Sequence, residues 1–199
     1  MEKVEMNKSM KLSEHFTLGE LCKTKYVTED GNIPSRVHIE NLKRICENWL
    51  EDLRYSYNML YVHSGVRPQS KVCAGVRPQS KVAGDCTLAP DPGAAPELGA
   101  APASRKEEPI VINSGYRSPE VNQLAGGATN SNHLTGCAVD IRCAGKEQMI
   151  RYASILLDIA DGTKQDFDEL LLEQHGNICW LHFAVRPKEN RRIIRFLRV

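Results

Sequence analysis

Between His63 and Lys106 the chain has little with which to build a core. The stretch opens on a ten-residue direct repeat, GVRPQSKVCA then GVRPQSKVAG, read from Gly65 and Gly75, and runs on through DCTLAPDPGAAPELGAAPAS. It is rich in Pro, Gly and Ala, has almost no large apolar residue after Val82, and shows no amphipathic period. Such a segment buries too little apolar surface to offset its ordering entropy. Two copies are also too few for a solenoid. It reads as a long disordered insertion or linker, with contact between its basic repeat and an acidic polymer the less favoured use. The flanks must then fold together, as one domain over residues 1–199 interrupted at about 63–107. Closing a loop of that size need not cost the fold much, because closure entropy rises slowly with length.

In the first flank, Thr17 is a candidate cap for a short helix, Leu18–Cys22, since its hydroxyl can accept from a first-turn amide. After the turn signal Asp30-Gly31-Asn32-Ile33-Pro34, Ser35 caps a long helix expected to reach about Leu60. Leu42, Ile45, Trp49, Leu53 and Tyr57 recur at three- and four-residue steps along it, a core stripe. In the second flank, Ile110 to Asn113 reads as a strand. Ser118 with Pro119 starts a short helix that Gly126-Gly127 ends. Ala128 to Thr135 is loop, and Cys137 to Cys143 is a strand whose other face carries Ala138, Asp140 and Arg142. Lys146 to Ala160 is a helix ending at Asp161-Gly162. Phe167–Glu173 and Ile178–Val185 read as antiparallel strands around a Gln174–Asn177 turn. The order α, α, β, α, β, α, β, β predicts an α+β domain with a small, mostly antiparallel sheet and helices packed on it.

A net charge of +1 gives no reason to expect nucleic acid or an anionic membrane as partner. No apolar run approaches the roughly 20 residues of a membrane span. MEKVEMNKSMKLSEHF lacks the apolar core of a secretory signal, so synthesis in the cytoplasm and a monomeric chain are the expectation. The seven cysteines form no CxxC pair, and their odd number argues against a disulfide framework. Cys137, Cys143 and Cys179 are expected to be small buried hydrophobes.

Within SNHLTGCAVDIR, His133 and Asp140 stand seven positions apart, a histidine leaving a loop and an aspartate on the strand that follows. His182 of CWLHFAV is the obvious third ligand. Two imidazoles and a carboxylate suit one zinc ion and leave its fourth position open for water. Glu173, near His182 across a short turn, is placed to be a base, and Arg117 to pair with a substrate carboxylate or an oxygen gaining charge. Each has an ordinary alternative. A strand histidine is more often packed, Asp140 could pair with Arg142, Arg117 with Glu120, and Glu173 could be a solvated strand-end charge.

SGYRSPEVNQLAGGATNSNHLTGCAVDI followed by FDELLLE and WLHFAV resembles the D-alanyl-D-alanine carboxypeptidase-type zinc peptidases. This family includes vancomycin-resistance D,D-dipeptidases and phage endolysins, and shares its fold with the hedgehog domain. The resemblance covers Lys11–Tyr61 and Glu108 to about Val185. It implies one zinc per chain on His133, Asp140 and His182, Glu173 as general base, Arg117 on the substrate, and Ser131 near substrate or metal. The implied substrate is a peptidoglycan peptide, cut before a terminal D-Ala or between L-Ala and D-Glu, with a lysin leaving the cell through a holin pore or an intracellular dipeptidase as settings. Where some relatives carry a second histidine, this chain has Trp180, either an apolar wall for substrate or a core residue. The competing expectation is a non-catalytic, zinc-stabilised domain of the same fold that binds cell wall or a phage particle.

Overall fold

The computed structural model describes residues 7–63 and 106–198. The expected insertion therefore lies almost wholly outside the described residues. What is described is a mixed α+β fold around a five-stranded sheet of order β1-β2-β4-β3-β5. The strands are β1 (Ile112–Ser114), β2 (Ala138–Cys143), β3 (Glu169–His175), β4 (Ile178–Ala184) and β5 (Ile193–Arg198). All neighbours are antiparallel except β3 and β5, which run parallel.

Local chemistry sets the helix starts. Thr17 caps α1 (Leu18–Leu21) in a reciprocal box with Glu20, and Ser35 caps α2 (Arg36–Ile45). Ser118 caps α4 (Pro119–Leu124) with Pro119 at its first position, where the missing N–H costs nothing. The long helix expected from Ser35 is continuous to His63, but not uniform. It passes from α2 through a π-helical turn, Cys46–Leu50, into α3 (Glu51–Tyr57), then into a second π-helical stretch, Asn58–His63. Hydrophobic spacing alone does not register such widened turns, because the buried stripe persists through them.

Several expected boundaries move: β1 begins at Ile112 rather than Ile110, and β3 at Glu169 rather than Phe167. The helix from Lys146, α5, runs to Thr163 and includes Gly162. A glycine costs a helix only about 1 kcal/mol, and the residue that turns the chain out is Lys164, at φ 57°. In the hairpin, Gln174 and His175 stay in β3, so only Gly176 and Asn177 connect the strands. The strand β5 lies beyond the segments assigned from sequence.

The sheet has two unlike faces. Val139 and Ile141 of β2, Leu181 and Phe183 of β4 and Leu170 of β3 are buried in the hydrophobic core. Trp49 of the long helix is 1 % exposed and meets Phe183 edge-on, ring centroids 5.0 Å apart. Tyr57 packs against Tyr152 of α5 in the same way, at 4.8 Å. Cys46, Cys143 and Cys179 belong to this core and are free thiols, as small buried hydrophobes would be; burial pushes the Cys143 thiol up to about 12. No helix among the described residues is long and apolar enough to cross a membrane. Truncating Trp49 to alanine should cost about 3–5 kcal/mol, the usual range for a large buried aromatic, measured as a lowered urea midpoint at unchanged slope.

Candidate metal centre

The polar face of the sheet is organised by strand register. Asp140 of β2 lies opposite His182 of β4, and His182 lies opposite Leu171 of β3. Because side chains alternate, Asp140, His182 and Trp180 point to the same side as Glu169, Leu171 and Glu173. These six line one cleft of about 730 Å³, together with Arg117, Ser131 and His133.

His133 arrives from outside the sheet. Where sequence suggested only loop, Asn132–Thr135 forms a turn of 3-10 helix. Ser131 caps it by accepting from the His133 amide at 3.3 Å, so its observed contact is with the backbone of the candidate ligand. Gly136 ends the turn at φ 68°, and a Cβ there would lie 2.5 Å from the His38 carbonyl oxygen. The His133 ring is held by the chain that follows β1: its Nδ1 donates to the Gly115 carbonyl at 2.5 Å. A Cβ on Gly115 would come within 2.3 Å of the Leu21 carbonyl oxygen, so this approach needs glycine.

With Nδ1 committed, His133 turns Nε2 to Asp140 Oδ1 at 3.2 Å, and His182 brings Nδ1 to the same oxygen at 2.9 Å. Ligand atoms of His133, Asp140 and His182 all lie within 4.8 Å of one another. Two neutral nitrogens and one carboxylate oxygen, two of the three residues buried, form a donor set that fits a divalent transition metal. Arg117 pairs with the other oxygen of Asp140 and donates through Nε to Ser114 Oγ at 2.8 Å. Its partners among the described residues are thus Asp140 and Ser114 rather than Glu120, and Asp140 pairs with Arg117 rather than Arg142.

Charge follows the geometry. Burial by itself would raise the Asp140 pKa, but the imidazoles of His133 and His182 outweigh it and hold the carboxyl far below its usual range. Burial would likewise lower His182; its hydrogen bond to Asp140 and the nearby Glu169 carboxylate reverse this and lift it to about 9. Glu173 goes the other way from Asp140: burial raises its pKa, against the pull of His182, of Arg117 and of a hydrogen bond from Trp180. Trp180 is half-buried beside Glu173, in the cleft wall rather than in the core.

Residues 76–167 match the family model of peptidase M15. Over this stretch, just under half of the chain, the sequence is similar to peptidase M15. That family includes D-Ala-D-Ala carboxypeptidases and vancomycin-resistance dipeptidases. The M15 match contains Arg117, His133 and Asp140 and ends before Glu173 and His182, which the sheet brings to the same cleft. Its first part, residues 76–105, lies outside the described residues. No curated protein matches the chain.

Sequence reasoning missed a second polar group in the cleft wall. Glu169 Oε2 accepts from Asn132 at 3.0 Å and its Oε1 from Arg191 at 2.8 Å. Arg191 is bidentate on the fully buried Asp168, which Arg186 and Asn132 also engage. The signal for Glu169 was present, since it shares the two-residue period of FDELLLE with Glu173. Nothing local pointed to the two arginines.

The metal-free protein should show the His182 charge in its stability. A histidine raised from 6.5 to about 9 on folding contributes stability that is whole below pH 6.5 and is lost as pH rises through about 9. The contribution is on the order of a few kcal/mol. Urea denaturation of the metal-free chain should therefore weaken from pH 6.5 to 9, while the metal-loaded chain, whose imidazoles are neutral throughout, should not show that loss. A flat metal-free profile would mean that His182 is not held protonated.

Proposed function

We propose that the chain is an M15-type, zinc-dependent hydrolase of peptide bonds in peptidoglycan stem peptides. The observation that carries the reading is the contrast at Glu173. It is a partly buried carboxylate with a raised pKa, in the same cleft as the three candidate ligands and in no ion pair among the described residues. A base needs a pKa drawn toward neutrality and a free lone pair, and Glu173 has both.

Zinc bound by His133, Asp140 and His182 would supply a Lewis acid and a position for water. Glu173 takes the proton from the attacking water and returns it to the leaving amine. Arg117, at the cleft edge beside Asp140, engages the oxygen that gains charge or a substrate carboxylate. Trp180 orients Glu173 and offers an apolar wall to a substrate methyl group, and Ser131 keeps His133 in place. A D,D-carboxypeptidase or an L-Ala-D-Glu endopeptidase would both use this arrangement. The setting we propose is a monomeric, phage- or prophage-type lysin with a hedgehog-like fold, synthesised in the cytoplasm and reaching the wall through a holin, with neither nucleic acid nor membrane as partner.

A non-catalytic wall-binding domain would need the metal ligands but not a half-buried base outside any ion pair beside them. Glu173→Ala should keep bound metal and lose hydrolysis of purified muropeptides by at least about 10²-fold, the lower range for a removed general base. Products identified by mass spectrometry would name the bond, and undiminished cleavage in that variant would remove Glu173 from the reaction. Chelation should abolish activity reversibly while the fold persists. A chain that unfolds as its metal leaves would instead be the structural domain.

A further inference from the structure

We propose that Glu169 is a positioning residue for the metal centre: it is the acceptor that orients the His182 ring and keeps Nδ1 open to the metal. The proposal rests on the zinc-peptidase reading above. A neutral imidazole carries one proton, so one ring nitrogen donates and the other offers its lone pair. In His182 the nitrogen turned to the shared Asp140 oxygen is Nδ1, at 2.9 Å, which places it as the metal-facing atom. The proton must then sit on Nε2, and Nε2 faces Glu169 Oε2 at 3.6 Å. That is an ion-pair separation, which a shift of a few tenths of an ångström converts into a hydrogen bond.

Histidine ligands to metals ordinarily donate their second nitrogen to a carboxylate or a carbonyl. His133 has the carbonyl of Gly115 for this purpose. Among the described residues, Glu169 is what His182 has. The carboxylate is itself held, with Asn132 on Oε2 and Arg191 on Oε1. Arg191 is fixed in turn by the buried Asp168. Asn132 also begins the 3-10 turn that carries His133, so one polar chain runs from one candidate ligand to the other. This division of labour explains why two glutamates four residues apart on one strand face are treated so differently. Glu169 accepts bonds through both oxygens, whereas Glu173 keeps lone pairs for a proton.

Competition with a chromogenic chelator on the full chain tests the proposal, with zinc as probe. Glu169→Ala should weaken zinc binding by about 10–100-fold, the usual effect of removing such an acceptor. Glu169→Gln, whose amide oxygen can still accept from Nε2, should recover most of that loss, a rescue that a merely structural role would not give. Glu169→Leu refills the side-chain volume and serves if alanine leaves a hole that impairs folding. It should bind zinc as weakly as alanine, with the metal-free Tm within a few degrees of the parent. Parent-like affinity in the alanine or leucine variant, or a glutamine variant as weak as they are, overturns the positioning role while leaving the peptidase reading intact. A parent chain that binds no zinc overturns both.

Discussion

A carboxylate buried in the middle of a sheet must have its charge met, and the polar half of this protein is arranged around that requirement. Asp140 is only 7 % exposed. An isolated carboxylate at such a site would be costly to ionise. It is met instead by His133 and His182 on one oxygen and Arg117 on the other. Those residues come from the 3-10 turn, from β4 and from the turn after β1. Satisfying one charge therefore docks three separate pieces of chain, and the same convergence makes a donor set that could hold a metal ion.

The core side of the sheet makes this affordable. Trp49, Phe167 and Phe183 cluster behind β4. Burial of that face pins the register, because a one-residue slip would turn Phe183 outward and His182 into the core. On β3 the same alternation puts Glu169 and Glu173 in one cleft, and their surroundings then separate them. The nearby His182 imidazole lowers the Glu169 pKa, against its burial and with further help from Arg191, while burial raises that of Glu173. Identical side chains on one strand so acquire opposite properties, one fit to hold a structure and the other to exchange a proton.

Much of this was legible residue by residue. Thr17, Ser35 and Ser118 cap helices through bonds to amides within three residues, so short sequence windows suffice to find them. The alternation in GCAVDIRC and ICWLHFAV assigned faces correctly because one side of each strand is core. The failures are non-local. RIIRFLR has adjacent apolar pairs instead of alternation, and β5 exists because its backbone pairs with β3 in parallel and Arg191 reaches Asp168. The end of α5 moved because a single glycine is a weak stop when the rest of the helix is packed.

From the residues alone, His133, Asp140 and His182 could be named as candidate ligands and Glu173 as a candidate base, because spacing and strand periodicity are properties of short stretches. Tertiary structure decided which atoms meet. The β2–β4 register put Asp140 opposite His182, the Gly115 carbonyl chose which nitrogen of His133 faces inward, and Asn132 and Arg191 claimed Glu169 while Glu173 was left with Trp180 alone as a hydrogen-bond partner among the described residues. Those choices depend on contacts between residues 18 to 42 positions apart. No local propensity encodes them, since each is settled by burial and charge balance only once the sheet has closed.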